Sequence, residues 1–514
     1  MNEVPQVNRW VVSFSVALAT FMVVLDSTIV NVALPHIAGS MSSTVEEGTW
    51  TLTSYLVANA IILPMTGWLA RQLGRRRLFL LSVAGFTLFS FLCGLAPNLA
   101  WLIVFRIIQG MTGGAMQPLS QAIMLEAFPP EERGKAMAAW GVCVVVAPIL
   151  GPLAGGWLTD SYSWRWIFYI NIPVGIVSLF LINMFVFDPP YLKQQKTRGV
   201  NYWGIGMLAV GMGAMQIVLD KGQQQDWFSS KYIVILTCVT VVMLVSFVAR
   251  EFFIKNPIVD LRAFRDRSFA AGVAMITAIG FVLYGSMVVL PVILQTLFGY
   301  PALQAGIVMS PRGIGSLLLS PIVGILISRI DARWMAACGI TLCAITMFWF
   351  GLLNMNLGYW DLFWPQIFQG VSFSLLFVPL TTLAMRNISR EEMGNATSIF
   401  NLMRNIGGSI GIATATTMLE RSRQTYINIL GTHVTPYDQN SQQMLSGLQS
   451  MLASAGIDQV TAGERAHAML FGFVQRQATM LSFINLMRLF GVLFIIMLPL
   501  LWLTRSSKSP DEKS

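Results

Sequence analysis

The sequence predicts an all-α integral membrane protein with fourteen transmembrane helices. Hydrophobic residues make up 55% of the chain and charged residues only 11%, which lies outside the range of soluble domains. Bilayer hydrocarbon is about 30 Å thick, so a crossing helix needs roughly 20 apolar residues. Apolar stretches of that length recur along the chain, and the short alternating segments of a lipid-facing barrel do not.

The apolar stretches define the spans in order. They cover residues 11–35, 50–70, 78–96, 100–124, 136–157, 166–187, 202–219, 231–249, 269–297, 304–328, 334–354, 361–385, 394–417 and 481–504. The first stretch is too long for a cleaved signal, contains Asp26 and lacks a small-residue cleavage site. We therefore expect it to remain as a span.

Basic residues predict the orientation of the chain. With the N-terminus inside, the short cytoplasmic segments hold Arg71, Arg75, Arg76, Arg77, Arg133, Lys135, Lys193, Lys196, Arg198, Arg250, Lys255, Arg262, Arg265, Arg267, Arg329, Arg333, Arg386 and Arg390. The short outer loops hold only Arg165, Lys221 and Lys231. This bias predicts that both termini are cytoplasmic. The net charge of +9 then reflects topology and attraction to anionic lipid, and we expect no nucleic-acid partner.

Cysteine and histidine give no sign of a metal site, a cofactor or a disulfide framework. All five cysteines fall inside predicted spans, where free packed thiols are the simplest interpretation, and the three histidines have no metal-ligand spacing.

An internal repeat relates the two parts of the chain. Gln109-Gly110 recurs as Gln369-Gly370, Glu131-Glu132 as Glu391-Glu392, Gly134 as Gly394 and Gly151 as Gly411, all 260 residues apart. The repeat relates spans four and five to spans twelve and thirteen, an even separation, so the copies cross the membrane in the same direction. Two six-helix halves in parallel repeat, with an extra helix pair between them, would give this pattern.

Four segments carry a resemblance to a known family. They are Leu25-Asp26-Ser27-Thr28-Ile29-Val30-Asn31-Val32-Ala33-Leu34-Pro35, Gly67-Trp68-Leu69-Ala70-Arg71-Gln72-Leu73-Gly74-Arg75-Arg76-Arg77, Arg106-Ile107-Ile108-Gln109-Gly110 and Gly151-Pro152-Leu153-Ala154-Gly155-Gly156. With these motifs the chain resembles the fourteen-span drug:proton antiporters of the major facilitator superfamily, and more narrowly the EmrB-type inner-membrane efflux pumps.

The resemblance implies a fold, a location and an activity. It implies a major facilitator fold in the bacterial inner membrane, with an N-terminal bundle (1–198), an inserted helix pair (199–252) and a C-terminal bundle (253–514) that includes a periplasmic loop (420–479). It implies proton-driven export without a cofactor, and conformational switching through Gly67, Gly74, Arg75, Arg76, Gly151, Pro152, Gly155 and Gly156. Arg71 departs from the family pattern, which usually has an aspartate there, so the charge latch of this loop is expected to be weaker or built differently.

The glycine motif of span five also has a bottom-up interpretation. Ala147, Gly151 and Gly155 recur every four residues and clear one helix face for close backbone contact. Plain helix packing, without a role in switching, explains this spacing about as well.

Asp26 is the one carboxylate deep inside a predicted span, and a buried acid is costly enough to indicate a function. At a rise of roughly 1.5 Å per residue, Asp26 lies about 13 Å and Arg106 about 8 Å below the outer ends of their spans, so the two could meet. An acid beside an arginine stays ionised, whereas an isolated acid in a low dielectric favours its protonated form. We therefore predict that Asp26 carries the proton and that Arg106 is its charge partner. A static ion pair that only aligns helices is the alternative.

Other polar residues within the spans are candidates for a substrate cavity. They are Asn31, Gln109, Arg312, Gln366, Gln369, Asn401, Arg404 and Arg488. Four intramembrane arginines against one aspartate leave an excess positive charge, which predicts amphipathic weak acids or anions as substrates, such as aromatic acids, fatty acids or acidic uncouplers. Arginines bonded to helix carbonyls are an equally good interpretation for any single one.

The outer loop of residues 420–479 is the longest connection. Its apolar residues at spacings of three and four predict an amphipathic helix around Met444 to Leu452, and a second helix is expected over 462–477. Pumps that this chain resembles work with a periplasmic membrane-fusion adaptor and an outer-membrane channel, so this loop is a candidate adaptor contact. It could equally be an inert lid.

Two other functions fit less well. An uptake symporter of the same fold is disfavoured by the motif at Gly151 to Gly156. A membrane enzyme or receptor would need a nucleophile, a metal cluster, a phosphate loop or a soluble domain, and the sequence offers none of these.

Overall fold

The computed structural model describes residues 8–129, 132–188, 201–254, 257–327, 329–435 and 437–503. Several sequence-based predictions concern residues outside these ranges. They are the domain boundary after residue 198, both termini, the repeat residue Glu131, and the basic residues Lys193, Lys196, Arg198 and Lys255.

The described chain is helical, without a strand among the described residues. We number the long helices α1 (Arg9–Ser40), α2 (Trp50–Leu73), α3 (Arg75–Leu95), α4 (Leu99–Gly114, continued by Met116–Ala127), α5 (Arg133–Ser161), α6 (Trp166–Tyr169, continued by Asn171–Phe185), α7 (Tyr202–Lys221), α8 (Lys231–Phe253), α9 (Arg267–Thr296), α10 (Ala302–Leu326), α11 (Ala332–Phe350), α12 (Tyr359–Ala384), α13 (Met393–Gly431) and α14 (Gln459–Met497). Short helices are Val45–Gly48, Trp227–Ser229, Leu261–Arg265, Gln439–Ser454 and Leu498–Leu503.

Thirteen of the described helices are long and apolar enough to span a membrane, which makes the chain a multi-pass membrane protein. The exception is α13, which carries Asn395, Asn401, Arg404 and Asn405 within the expected span 394–417. It nevertheless packs lengthwise against α9, and Asn395, Asn401 and Arg404 are buried. The prediction of an all-α membrane protein of about fourteen spans is confirmed.

The long loop contains the predicted amphipathic helix, which we call the loop helix (Gln439–Ser454). The expected second helix over 462–477 is not separate, because Gln459–Met497 forms one continuous helix. This helix contains no proline that would break it. Asp458 caps its N-terminus, where the side chain accepts a hydrogen bond from the Thr461 backbone N–H at 3.0 Å.

Helix packing reproduces the internal repeat. In the N-terminal half α1 packs on α5, α2 on α4 and α3 on α6, and in the C-terminal half α9 packs on α13, α10 on α12 and α11 on α14. The inserted helices α7 and α8 pack on each other, and α7 also contacts α2 and α13. Two six-helix bundles in parallel repeat plus an inserted pair therefore describe the architecture.

The two halves meet along two seams. The α5–α10 seam is closed along its length, because Gly324 packs on Lys135 and Ala138, and Gly313 on Ile149. The α2–α13 seam is closed near Gly67, where an added Cβ would lie 2.9 Å from Asn395 Cα. We call this end of the bundle, which bears Arg75 and Arg133, the basic end, and the opposite end, which bears the loop helix, the loop end.

Candidate functional site

Asp26 and Arg106 form an ion pair in the middle of the N-terminal half. Arg106 Nη1 donates to Asp26 Oδ2 at 2.6 Å, and both side chains are 0% exposed. Gln109 stands one helical turn from Arg106 on α4, so both side chains lie on one helix face and both reach Asp26. Its Nε2 donates to Asp26 Oδ1 at 3.2 Å, and its Oε1 accepts from Arg106 Nη1 at 2.9 Å.

Residues of three further helices, α2, α3 and α6, complete the network around this pair. Asn171 of α6 donates through Nδ2 to Asp26 Oδ1 at 2.9 Å and to Ser90 Oγ at 3.0 Å. Arg106 Nε donates to the Thr51 carbonyl of α2 at 3.1 Å, and its guanidinium lies over the Tyr55 ring at 4.0 Å. Asp26 therefore accepts hydrogen bonds from three side chains, an environment that stabilises a carboxylate.

Sequence reasoning paired Asp26 with Arg106 but missed Asn171, Thr51, Tyr55 and Ser90. An asparagine inside the apolar stretch 166–187 was an available signal, because an unpaired amide in a span is costly. Nothing in the sequence indicated that a backbone carbonyl of α2 would accept from Arg106.

A cavity of about 180 Å³ lies between the halves on the loop-end side. Its lining comes from α1, α2, α4, α5, α7, α9 and α13, namely Val23, Val24, Ser27, Thr28, Tyr55, Leu56, Asn59, Ala60, Gln117, Pro148, Gln216, Leu219, Asp220, Tyr284, Asn405, Gly408, Ser409 and Ile412. The α2–α13 seam is open here, and α7 closes it from the side.

Helix α1 separates this cavity from the ion pair. Val23, Val24, Ser27 and Thr28 line the cavity, whereas Asp26 is fully buried on the other face against α4 and α6. Tyr55 belongs to both regions, because it lines the cavity and stacks on Arg106. A molecule in the cavity can therefore affect the ion pair through α1 and Tyr55 without touching Asp26.

Hydrogen bonds join the two halves on the side of the cavity that faces the basic end. Arg404 Nη2 of α13 donates to Gln117 Oε1 of α4 at 2.7 Å, and Asn401 donates to Gln121. The Arg404 guanidinium also lies 5.7 Å from the ring centres of both Trp140 and Phe377. Arg404 is fully buried, and its Nε and Nη1 have no hydrogen-bond acceptor in bonding geometry.

The remaining cavity candidates lie away from the lining of this cavity. Arg312, Gln366 and Gln369 are buried between α10 and α12, where Arg312 Nε donates to Gln366 Oε1 at 2.9 Å. Asn31 and Arg488 are exposed, and the Arg488 side chain packs near Gly351 at the end of α11. Asp220 of α7 lines the cavity and accepts a hydrogen bond from Thr53.

The loop between α2 and α3 has charged contacts that do not use an acid at position 71. Arg71 donates through Nη2 to the Pro257 carbonyl at 3.3 Å, and Arg75 pairs with Glu126 of α4. Gly74 has φ +83°, and Asp188 sits against it. Asp188 Oδ1 accepts from the Arg76 backbone N–H at 2.8 Å, while Arg76 Nη2 donates to the Asn183 carbonyl at 2.6 Å.

The glycine motif of α5 packs directly on α1. A Cβ at Gly151 would overlap Thr28, and one at Gly155 would lie 2.8 Å from the Ile29 carbonyl oxygen. Gly156 is less crowded, with Val32 at 3.9 Å, and Pro152 lies within the helix one residue after Gly151. The motif therefore fixes the position of the helix that carries Asp26.

Comparisons with known proteins agree with this architecture. The family model described as Major Facilitator Superfamily matches residues 16–412. The human organic anion transporter MFSD10 superposes with a TM-score of 0.58 at 14% identity, covering 95% of this chain and 100% of that one, which concerns the fold alone.

Curated relatives match over most of the chain. The fatty acid resistance protein FarB of Neisseria gonorrhoeae is 38% identical over 503 residues, 96% of each chain. The multidrug export protein EmrB is 41% identical in Haemophilus influenzae over 84% of each chain. In Escherichia coli K12 it is 36% identical over 96% of this chain and 95% of that protein. The chain therefore belongs to the major facilitator superfamily, and it is a membrane transporter related to the EmrB-type multidrug exporters.

Proposed function

We propose that this transporter is a proton-coupled antiporter that exports amphipathic weak acids and anions. Asp26 carries the proton and Arg106 is its charge partner. The observation that carries the proposal is the buried Asp26–Arg106 pair, separated from a cavity between the halves by one helix. Both termini are then cytoplasmic, and the membrane is a bacterial inner membrane.

Coupling follows from the cost of separating the pair. When the arginine moves away, the charged form of the buried carboxylate becomes high in free energy. The carboxylate therefore takes up a proton. Asp26 is sealed from solvent in this structure, so proton exchange requires a second arrangement of the halves in which the pair opens. Substrate in the cavity contacts α1 and Tyr55 and favours the closed, ionised pair, so substrate binding and protonation of Asp26 exclude each other.

Preference for anions is supported by Arg404, which is buried next to the cavity behind two of its lining residues. Arg404 donates to Gln117 and interacts with the Tyr284 hydroxyl, and both of these residues line the cavity. A carboxylate reaching this level would meet a buried cation in a low dielectric. The name of the relative FarB, a fatty acid resistance protein, points to the same class of compound. Asp220 on the lining favours the opposite charge, so cationic amphiphiles are the competing class.

The test is flux in proteoliposomes under opposing proton gradients. Acidic, neutral and quaternary ammonium amphiphiles are compared for the wild type, Asp26→Asn and the control Asp160→Asn, which makes the same change at an exposed acid at the end of α5. We expect substrate to move against the proton flow in the wild type and control, and only passive leak in Asp26→Asn. Gradient-driven export by Asp26→Asn would remove the carrier role, and cotransport with the proton would indicate a symporter.

We further propose that the chain works with a periplasmic membrane-fusion adaptor and an outer-membrane channel. The loop helix supports this, because it lies outside the membrane bundle and exposes Met444 by 44% and Met451 by 52%. Since α14 begins at Gln459, deletion of residues 439–454 tests the contact without cutting a span. We expect co-purification of the adaptor to be lost while flux in proteoliposomes persists. Unchanged co-purification would refute the contact.

A further inference from the structure

A second buried cation cluster lies in the C-terminal half, between α10 and α12. Arg312 is 1% exposed, and Gln366 and Gln369 are both 0% exposed. Arg312 Nε donates to Gln366 Oε1 at 2.9 Å, and its guanidinium lies 6.0 Å from the Phe373 ring centre. Gln366 and Gln369 are three residues apart, so both amides lie on the face of α12 that meets α10.

This cluster has more hydrogen-bond donors than acceptors. Arg312 Nη1, Gln366 Nε2 and Gln369 Nε2 are three buried donors without an acceptor, against one buried acceptor without a donor, Gln369 Oε1. None of the ion pairs among the described residues involves Arg312. Buried polar groups are almost always satisfied, and an unpaired guanidinium inside a membrane is especially costly. The excess of donors therefore points to an acceptor that the described residues do not supply.

The repeat shows where that acceptor stands in the other half. Gly151 packs on Thr28 as Gly411 packs on Phe281, so the position of Asp26, two residues before Thr28, corresponds to Ile279. The neighbours of Ile279 are Ala278 and Gly280, so this part of α9 offers no carboxylate. The C-terminal half thus keeps a buried arginine and a glutamine but lacks the acid that neutralises them in the N-terminal half.

We propose that a monovalent anion binds at Arg312, held also by the Gln366 and Gln369 amides. It fills the role that the Asp26 carboxylate has in the N-terminal half. The ligand is a halide or the carboxylate group of a slender amphiphile, because α10 and α12 touch at Gly370, where a Cβ would overlap the Arg312 carbonyl oxygen. This site is separate from the proposed proton carrier and does not depend on proton coupling.

The test titrates chloride against the thermal stability of the purified full-length protein. Sodium isethionate keeps the ionic strength constant, and Arg312→Gln is compared with the wild type and with Arg421→Gln, a change at an exposed arginine of α13. We expect a saturable rise in Tm for the wild type and for Arg421→Gln. Loss of a charge-assisted hydrogen bond should weaken the chloride affinity of Arg312→Gln by roughly tenfold or more.

Two additional measurements complete the test. One distinguishes the two sources of the anion, and the other uses only the wild type, so it does not depend on whether the variant folds. Decanoate replaces chloride in a parallel titration, and bromide is located by anomalous diffraction in the wild type. An Arg312-dependent response to decanoate alone assigns the site to a substrate head group. An Arg312-dependent response to chloride, or bromide density at Arg312, assigns it to a free halide. The proposal is overturned if neither anion gives a saturable response that depends on Arg312 and no bromide lies beside it.

Discussion

The N-terminal and C-terminal halves share one frame but distribute charge differently. In the first half Gly110 lets α4 touch the backbone of Tyr55, and Arg106 projects from α4. In the second half Gly370 lets α12 touch the backbone of Arg312, which projects from α10 instead. Gln366 takes the place of Arg106 in the repeat, so each half buries one guanidinium between the two helices of this pair.

In the part of the chain that the structure describes, the two arginine clusters differ in that only the Arg106 cluster contains a carboxylate. Arg106 is neutralised by Asp26, whereas Arg312 has no carboxylate partner among the described residues. Of these two clusters, only the one in the N-terminal half has a carboxylate against its arginine among the described residues. The difference indicates that the repeat preserves helix packing, through its glycines, while the chemistry of each half depends on a few polar positions.

Removal of each arginine should give the largest contrast between the halves. Arg106→Met leaves Asp26 buried without its partner, which costs about 3–5 kcal/mol. Arg312→Met removes a charge that has no acid partner, so in chloride-free buffer it should cost much less or raise stability. Thermal or detergent-induced unfolding of both variants measures the contrast. Equal losses in the two variants would show that the clusters are energetically equivalent.

Alanine at the paired glycines should give an intermediate effect. At Gly151 the new methyl group meets the Thr28 side chain, which can rotate, whereas at Gly411 it meets the Phe281 carbonyl oxygen of the backbone. Overpacking costs about 1–3 kcal/mol, and we expect Gly411→Ala to lie at the upper end and Gly151→Ala at the lower end. Unfolding measurements check the order, and Thr28→Ala should restore the loss at Gly151. Failure of that rescue would contradict the assigned contact.

The smallest loss of stability is expected for the hydrogen bonds that join the halves on the basic-end side of the cavity. Gln121→Ala removes the acceptor of the Asn401 hydrogen bond between α4 and α13, a loss of about 1 kcal/mol. Because this bond closes the basic end, its loss should shift the population towards arrangements open at that end. Labelling of a cysteine placed at Thr397 reports this opening. Slower labelling in Gln121→Ala would contradict the role in closure.

The sequence predicted the helical architecture because spans, basic loops and repeated glycines are local patterns. The pairing of Asp26 with Arg106 also followed, since depth along a helix can be counted. The hydrogen bonds of Asn171 and of the Thr51 carbonyl could not be predicted from depth alone, because they depend on how α6 and α2 pack around the ion pair. The cavity lining was missed for the same reason: Ser27, Thr28 and Asn59 are small or common polar residues whose shared surface exists only after the halves assemble.

The most direct test of the central proposal is proton release when substrate binds. Purified protein in weakly buffered solution is mixed with decanoate, and a pH indicator records the protons released by the wild type, Asp26→Asn and Asp160→Asn. We expect release that varies with the starting pH in the wild type and in Asp160→Asn, and none in Asp26→Asn with decanoate binding retained. Equal release from Asp26→Asn would contradict the assignment of Asp26 as the proton carrier.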